Sequence, residues 1–217
     1  MQTIKYAVIS AAGMGTRLGL NKPKCLVEIN GKPIIDHLLE LLKDIEQVRI
    51  VVGFMETDLI EHVKRIRKDV VFVRNPEYKT TSNSHSLWLA SHDIKEAFLA
   101  IDGDMIIDPK SFNTFLSQCD GKQNIIGIAA AKTEEAVFVE LDQMHRVTRF
   151  FRSPMSSYEW CGIACFVDIV FQDYSDRYIY QFIEAHLPLA SCLITCCEID
   201  TPADLELAIK QSRHFQL

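Results

Sequence analysis

Three short stretches of the chain carry residues whose types and spacing could do chemistry. The first is Ala11-Ala12-Gly13-Met14-Gly15-Thr16-Arg17, which ends an apolar run, with Lys22, Pro23 and Lys24 close behind. Glycines let backbone N–H groups crowd round an anion with no Cβ in the way, and an arginine fork matches phosphate oxygens. Three cations in eight residues, Arg17, Lys22 and Lys24, beside a glycine loop suit a nucleoside triphosphate. The spelling excludes two familiar phosphate loops. No G-x-x-x-x-G-K-[ST] string is present, and the dinucleotide fingerprint fails because Gly19 comes one residue late and Arg17 would intrude on the pyrophosphate path. The second stretch, Asp102-Gly103-Asp104, follows the apolar run Ala97–Ile101. Carboxylates at the C-terminal end of a strand face the crevice where α/β sheets bind ligands, and Mg²⁺ favours carboxylate, phosphate and water oxygens. The third is Asp200, within Glu198-Ile199-Asp200-Thr201. Taken alone, either aspartate site reads as a helix cap or a turn.

Strands and helices must position these loops. Tyr6–Ala12, Val48–Val52, Val70–Val73 and Ala97–Ile101 are nearly continuous apolar runs, as strands covered on both faces should be. Between them lie helical patterns. Pro33 suits a first helical turn, and Ile35, Leu38, Leu39 and Leu42 then share one face. Leu59, Val63 and Ile66 form a second stripe, and a third helix follows Asn83 with Leu87, Leu89 and Ala90. The rhythm predicts a Rossmann-like α/β three-layer sandwich, with a mostly parallel mixed sheet and helices on both faces. The second half is less regular. Ile125–Ala131, Ala136–Leu141, Val147–Phe151, Cys161–Val167 and Cys192–Glu198 read as strands, and a helix lies around Tyr178–Ala185. Thr201, Pro202 and Asp204 spell the cap, first turn and capping-box position of a last helix. With no repeat and no linker, residues 1–217 read as one domain.

Composition narrows the function. The 23 basic residues against 29 acidic, with no basic tail or block, disfavour a nucleic-acid binder. No apolar run approaches the ~20 residues that span a bilayer, and Met1-Gln2-Thr3-Ile4-Lys5 lacks the basic and apolar regions of a signal peptide. A cytoplasmic location is expected. The seven cysteines have no C-x-x-C spacing and read as reduced, mostly buried thiols.

The stretch Ala11 to Lys24, continued by Cys25-Leu26-Val27-Glu28-Ile29-Asn30-Gly31-Lys32-Pro33-Ile34-Ile35, resembles the signature of the nucleotidyltransferases that activate sugar phosphates and phospho-alcohols. Asn75-Pro76-Glu77-Tyr78 and Thr81-Ser82-Asn83-Ser84-His85-Ser86-Leu87-Trp88-Leu89-Ala90 resemble a stretch of its small cytidylyltransferases, such as those acting on phosphocholine. Asp102-Gly103-Asp104 and Glu198-Ile199-Asp200-Thr201 match the family's two acidic motifs, while the match is thin from Pro109 to Tyr158. The resemblance implies an enzyme that transfers a nucleoside monophosphate, CMP from CTP, to a small phosphorylated acceptor and releases pyrophosphate. Phosphocholine, an aminoalkyl phosphonate, a polyol phosphate and a sugar phosphate all fit as acceptors. It implies Mg²⁺ held by Asp104 and Asp200. It places Arg17 on the departing β,γ-phosphates and Lys24 between the α-phosphate and the acceptor phosphate. Residues Ala11 to Arg17, Lys24, Asn83, Ser84 and Asp102 would line the nucleotide.

On the acceptor side, Arg152 in Phe150-Phe151-Arg152-Ser153-Pro154 stands where sugar-phosphate members carry a lysine, and either replaces it or is a surface arginine. Trp160 beside Glu159 could hold a quaternary ammonium; the plainer reading makes Trp160 core filling and Glu159 a solvated strand-end charge. Trp88 reads as helix packing; His85 could approach the nucleotide from the helix after Asn83, and the plainer reading makes it a polar surface residue. The short chain has no room for the left-handed β-helix of larger members, so one activity is expected. Three other readings fit less well: a nucleotide-sugar glycosyltransferase, which also uses Asp-x-Asp but does not need the Gly13–Arg17 loop and Pro23-Lys24; a catalytically silent nucleotide sensor, against which Arg17, Lys24, Asp104 and Asp200 together argue; and a molybdenum-cofactor guanylyltransferase, which the Asn83–Ala90 stretch disfavours. The residues exclude no base, and they assign no oligomeric state.

Overall fold

The computed structural model describes residues 4–173 and 176–215, so Met1, Gln2 and Thr3 of the N-terminal reading lie outside it. The chain opens with β1 (Tyr6–Ser10), the glycine loop, and a short hairpin of β2 (Glu28–Ile29) and β3 (Lys32–Pro33). Then come α1 (Ile34–Leu41), β4 (Gln47–Val52), α2 (Glu56–Ile66), β5 (Val71–Arg74), α3 (Asn83–Ser91) and β6 (Phe98–Asp102). The second half holds β7 (Met105–Ile107), α4 (Pro109–Gln118), β8 (Ile125–Ala130), β9 (Phe138–Leu141), β10 (Arg146–Phe151) and β11 (Tyr158–Phe166). It ends with α5 (Ile179–Ile183), β12 (Leu189–Leu193), β13 (Cys196–Glu198) and α6 (Pro202–Gln211).

One sheet of nine strands runs β5-β4-β1-β6-β11-β8-β12-β10-β9. The four strands β5, β4, β1 and β6 are parallel, as their βα rhythm predicts. The expectation of a mostly parallel sheet fails beyond β6. There β11 runs antiparallel to β6 and β8, β10 is antiparallel to β12 and β9, and only β12 and β8 are parallel. Strand direction is set by which partner a strand finds, and apolar runs do not encode it. The start of β11 also touches β9 (Glu159 opposite Phe138), so this half of the sheet curls back on itself.

Strand alternation divides the core. Ala7, Ile9, Ile50, Leu99 and Ile101 face one side, packed with Ile35, Leu38, Leu59, Val63, Phe112 and Phe115 of α1, α2 and α4. Val8, Val51, Phe98 and Ala100 face the other, packed with Leu87 and Ala90 of α3 and Ile179 and Ile183 of α5. The α1 stripe Ile35, Leu38, Leu39 and Leu42 is buried as expected, with Pro33 capping the helix. Two expectations of burial fail at the sheet's margin. Val70–Val73 is read as a covered strand, but β5 has a single neighbour, and its Val71 is exposed. Ile66, the last residue of α2, is 49% exposed where the helix runs out. Cys192–Glu198, read as one strand, is two strands in two sheets: β12 stays in the large sheet, and β13 leaves it to pair with β7. The seven thiols are free and buried. Among the described residues no helix is long and apolar enough to cross a membrane.

Candidate active site

The glycine loop leaves β1 at the C-terminal ends of the parallel strands. Gly103 N–H donates to the Ser10 carbonyl at 2.9 Å, Ala11 N–H to Val51, and Phe54 N–H to Ala12, so the loop is strapped to both flanking strands. Gly15 adopts φ 59°, a left-handed conformation that favours glycine. A Cβ there would lie 2.4 Å from Cγ of Lys24, so the Lys24 stem runs across the loop where only a glycine fits. Pro23 starts the turn that presents Lys24.

The two acidic motifs meet through the ribbon of β13 and β7. These pair antiparallel with Glu198 opposite Met105, and Ile199 N–H donates to the Asp104 carbonyl at 3.0 Å. The register brings Asp104, Glu198 and Asp200 to one end of the ribbon. One carboxylate oxygen from each lies within 4.8 Å of the others. Helix α6 fixes the outgoing chain. Thr201 Oγ1 accepts from Asp204 N–H, and Asp204 Oδ2 accepts from the N–H groups of Thr201 and Asp200.

The cations then close on this cluster. Lys24 Nζ lies 2.5 Å from Asp104 Oδ2 and 2.5 Å from Asp200 Oδ1. Arg17 Nη2 reaches Asp200 Oδ2 at 2.7 Å from an exposed position. Burial alone would lower the Lys24 pKa; the charges of Asp104 and Asp200, and its hydrogen bonds to both, hold it above the usual lysine value. The structure thus brings together Arg17, Lys24, Asp104 and Asp200, and adds Glu198 as a third carboxylate. Glu198 sits in the quoted acidic motif, and its spacing of two from Asp200 is the signal that could have singled it out. Its carboxyl is held well above the usual range by desolvation and by repulsion from Asp104, Asp200 and Asp102. The residue is open to water on one side, so the repulsion carries more weight than the burial.

Asp102 ends β6, opposite Ser10 of β1. Strand β11 bulges between Trp160 and Ala164, and Gly162 in that bulge has φ 74°. A Cβ on Gly162 would lie 2.7 Å from Asp102 Oδ2, so this glycine makes room for the carboxyl. Burial, then the charge of Asp104, push the Asp102 carboxyl up to about 8. A raised pKa means the native state keeps a proton that the unfolded state has lost. Stability therefore falls as pH rises from the ordinary carboxylate range, about 4, towards about 8. Asp102→Asn, which mimics the protonated form, should match the parent near pH 4 and exceed its melting temperature increasingly towards pH 8. A gain of ~4 °C is expected, measured in EDTA by thermal melts across pH. Parallel curves would remove the effect.

A cavity of about 250 Å³ opens over these groups, lined by Ala11, Ala12 and Gly13, by the charged cluster, and by Tyr78, Asn83, Asp102 and Tyr178. Met14, Gly15, Thr16 and Ser84, expected on the nucleotide, do not line it. Ser84 is fully buried and its Oγ donates to the Arg177 carbonyl at 2.5 Å. Ser82 Oγ donates to the same carbonyl, and Ile179 N–H donates to Asn83 Oδ1 at 3.1 Å. His85, expected at the surface, is buried, and its Nδ1 donates to Asp173 Oδ1 at 2.5 Å. The start of α3 therefore grips the chain on either side of Tyr178, and Asn83 both lines the cavity and holds that chain. Trp88 packs against the apolar face as expected.

The expected acceptor residues stand apart from the cavity lining. Arg152 donates to the Glu135 carbonyl at 2.7 Å, and its guanidinium lies over the Tyr180 ring. Trp160 packs edge-on against Phe150, which is the core-filling alternative. Glu159, half-buried rather than solvated, accepts from Lys132 N–H at 3.2 Å, and desolvation first of all raises its pKa. Lys22 does not line the cavity.

A Rossmann-like α/β sheet with an anion loop facing a carboxylate trio defines a nucleotide-handling domain. The chain belongs to the MobA-like NTP transferase domain family, whose pattern matches residues 7–158. It is 33% identical over 117 residues to the choline-phosphate cytidylyltransferase of Streptococcus pneumoniae, covering 52% of this chain and 50% of that protein. It is 28% identical over 172 residues to the 2-aminoethylphosphonate cytidylyltransferase of Lancefieldella rimae, covering 74% and 66%. The fold matches the solved CTP:phosphocholine cytidylyltransferase of Streptococcus pneumoniae with a TM-score of 0.80 at 22% identity, over 95% of this chain and 99% of that one. Other curated relatives are longer, and matched stretches span from 25% to 50% of the length of the first four.

Proposed function

We propose that this protein is a divalent-cation-dependent nucleotidyltransferase that moves CMP from CTP onto a small phosphorylated or phosphonate acceptor and releases pyrophosphate. One observation carries the reading: the cations of the phosphate loop, Arg17 and Lys24, are in direct contact with Asp104 and Asp200 inside one cavity. The cytidylyltransferase names of the relatives support the base and the class of acceptor.

The residues fit a hard cation. Asp104 Oδ1 is buried and has no hydrogen-bond partner among the described residues, and the three carboxylates are the oxygen donors that Mg²⁺ takes. Asp104 and Asp200, with Glu198 beside them, would hold it, and a bound Mg²⁺ neutralises charge on the phosphates. The backbone of Ala11 to Gly13 cradles the triphosphate, and Arg17, exposed at its head, takes the β,γ-phosphates. Lys24 has its stem fixed across Gly15 and aims its ammonium at the α-phosphate, where charge builds as the acceptor oxygen attacks. Tyr78 and Tyr178 give the cavity rings on which a base or an ammonium group can lie.

The test is pyrophosphate release with Mg²⁺, crossing CTP, UTP, GTP and dTTP with phosphocholine, 2-aminoethylphosphonate, inositol phosphate and sugar 1-phosphates. Release with CTP and one acceptor is expected. Release with another triphosphate keeps the chemistry and replaces the base. Binding of triphosphate with no release across the grid points instead to a nucleotide sensor, and transfer from a nucleotide sugar to a glycosyltransferase.

A further inference from the structure

The position of Lys24 bears on how a cation reaches its carboxylates. Its ammonium already bridges the groups that would hold the metal, touching Asp104 Oδ2 and Asp200 Oδ1 at 2.5 Å each. It is well shielded, with 17% of its side chain exposed. Mg²⁺ binds oxygen at about 2.0–2.1 Å and demands near-octahedral geometry. Two cations cannot share the same pair of oxygens at these distances without strong repulsion. The ammonium takes Asp104 Oδ2 and Asp200 Oδ1, while Asp104 Oδ1 has no partner among the described residues, so a metal on this cluster would stand beside the ammonium and be repelled by it.

The Lys24 stem also belongs to the phosphate loop. It lies across Gly15, where a Cβ would be 2.4 Å from Cγ and 3.3 Å from Cδ. The stem thus crosses the glycine loop while Lys24 also lines the cavity, so turning its terminal bonds would carry Nζ from the carboxylates to a phosphate bound there. A phosphate gives the ammonium equivalent anionic oxygens, so the exchange costs little. Left behind are Asp104, Asp200 and Glu198, where among the described residues Arg17, on Asp200, is the one cation still in contact, an excess of negative charge that a divalent cation balances.

We propose that Lys24 is the resident counter-ion of the divalent-cation site, so that the site binds metal weakly until a triphosphate draws the ammonium away. Metal entry then depends on nucleotide, and the protein does not hold a tight metal ion on its own. The proposal rests on the functional reading in placing the metal among these carboxylates, but its test requires no turnover.

The experiment is a titration of the nucleotide-free protein with Mn²⁺, following free Mn²⁺ by electron paramagnetic resonance. Wild type is compared with Lys24→Met, which keeps the stem and removes the charge. Lys24→Met is expected to bind Mn²⁺ at least about tenfold more tightly, the scale of one lost charge-assisted contact. The gain should vanish in Lys24→Met/Asp104→Asn, which places it in this cluster, while circular dichroism reports an unchanged fold. Equal or weaker Mn²⁺ binding by Lys24→Met overturns the proposal, as does a gain that survives Asp104→Asn. If Lys24→Met gains affinity and wild type releases no pyrophosphate with any pair of substrates, the counter-ion role stands and the transferase reading falls. If wild type turns over and Lys24→Met gains nothing, the reverse holds.

Discussion

Lys24→Ala should lower turnover by on the order of 10²–10³, the range seen when one preorganised donor to developing charge is removed. No other cation is so placed among the described residues lining the cavity. Arg17 is exposed and touches one carboxylate, whereas Lys24 is shielded and touches two. Its stem is held by Pro23 and Gly15, so its ammonium stays at the cavity before any ligand arrives. The variant also leaves Asp102, Asp104, Glu198 and Asp200 facing one another with less compensation. In EDTA it should lose about 2 kcal/mol of stability, the scale of a hydrogen-bonded charge left unpaired, and Mg²⁺ should restore it. Pyrophosphate release at saturating Mg²⁺, with melts in EDTA and in Mg²⁺, checks both parts. Turnover within about threefold of wild type would remove Lys24 from the chemistry.

The charged centre of this site is legible in the sequence because its parts are local. A glycine loop after a strand, an arginine two residues beyond the second glycine, and aspartates at strand ends are each visible in a few residues. Their convergence is not local. It depends on β7, whose three residues Met105–Ile107 are too short for a periodicity, and on β13, which hides inside the run Cys192–Glu198. Asp108 before Pro109, a cap followed by a first-turn proline, could have revealed α4 and so marked where β7 ends.

The polar residues whose partners the sequence does not reveal share a different cause. Ser84, His85, Glu159 and Arg152 are polar, and a polar residue near a motif is open to a functional reading. Here each satisfies a backbone or carboxylate partner: Ser84 the Arg177 carbonyl, His85 the Asp173 carboxylate, Glu159 the Lys132 N–H, and Arg152 the Glu135 carbonyl. All four partners lie in loops with no strand or helix pattern, 17 to 93 residues away along the chain. Buried polar groups need partners, but sequence does not say which. The same limit applies to the sheet. Its parallel half follows from local βα alternation, while the antiparallel half depends on long-range pairing.

Asp104→Asn should lower kcat/KM by about 10³ and raise the Mg²⁺ concentration needed for half-maximal rate at least tenfold, the scale of losing a charged ligand in a shielded site. Asparagine has the shape of aspartate, and the backbone here is pinned by Ile199 N–H on the Asp104 carbonyl, so the fold should hold. The amide has no good orientation. With its nitrogen towards Lys24, two donors face each other in place of the Asp104 Oδ2 contact. With its nitrogen at the Oδ1 position, a donor occupies a buried spot with no acceptor among the described residues. Removing the charge also relieves repulsion with Asp102 and Glu198, whose pKa values it helps to raise. This relief offsets the lost Lys24 contact and the poorly placed amide, so the melting temperature should stay within about 4 °C of the parent, and a loss of activity will not come from unfolding. Asp200→Asn separates the two roles. Asp200 holds Arg17 as well as Lys24, so its loss should weaken triphosphate binding together with turnover, while Asp104→Asn should leave that binding within about threefold. Calorimetric titration of each variant with CTP in EDTA, beside the Mg²⁺ dependence of the rate, measures the split. An Asp104→Asn protein with an unchanged Mg²⁺ dependence would move the cation away from this carboxylate.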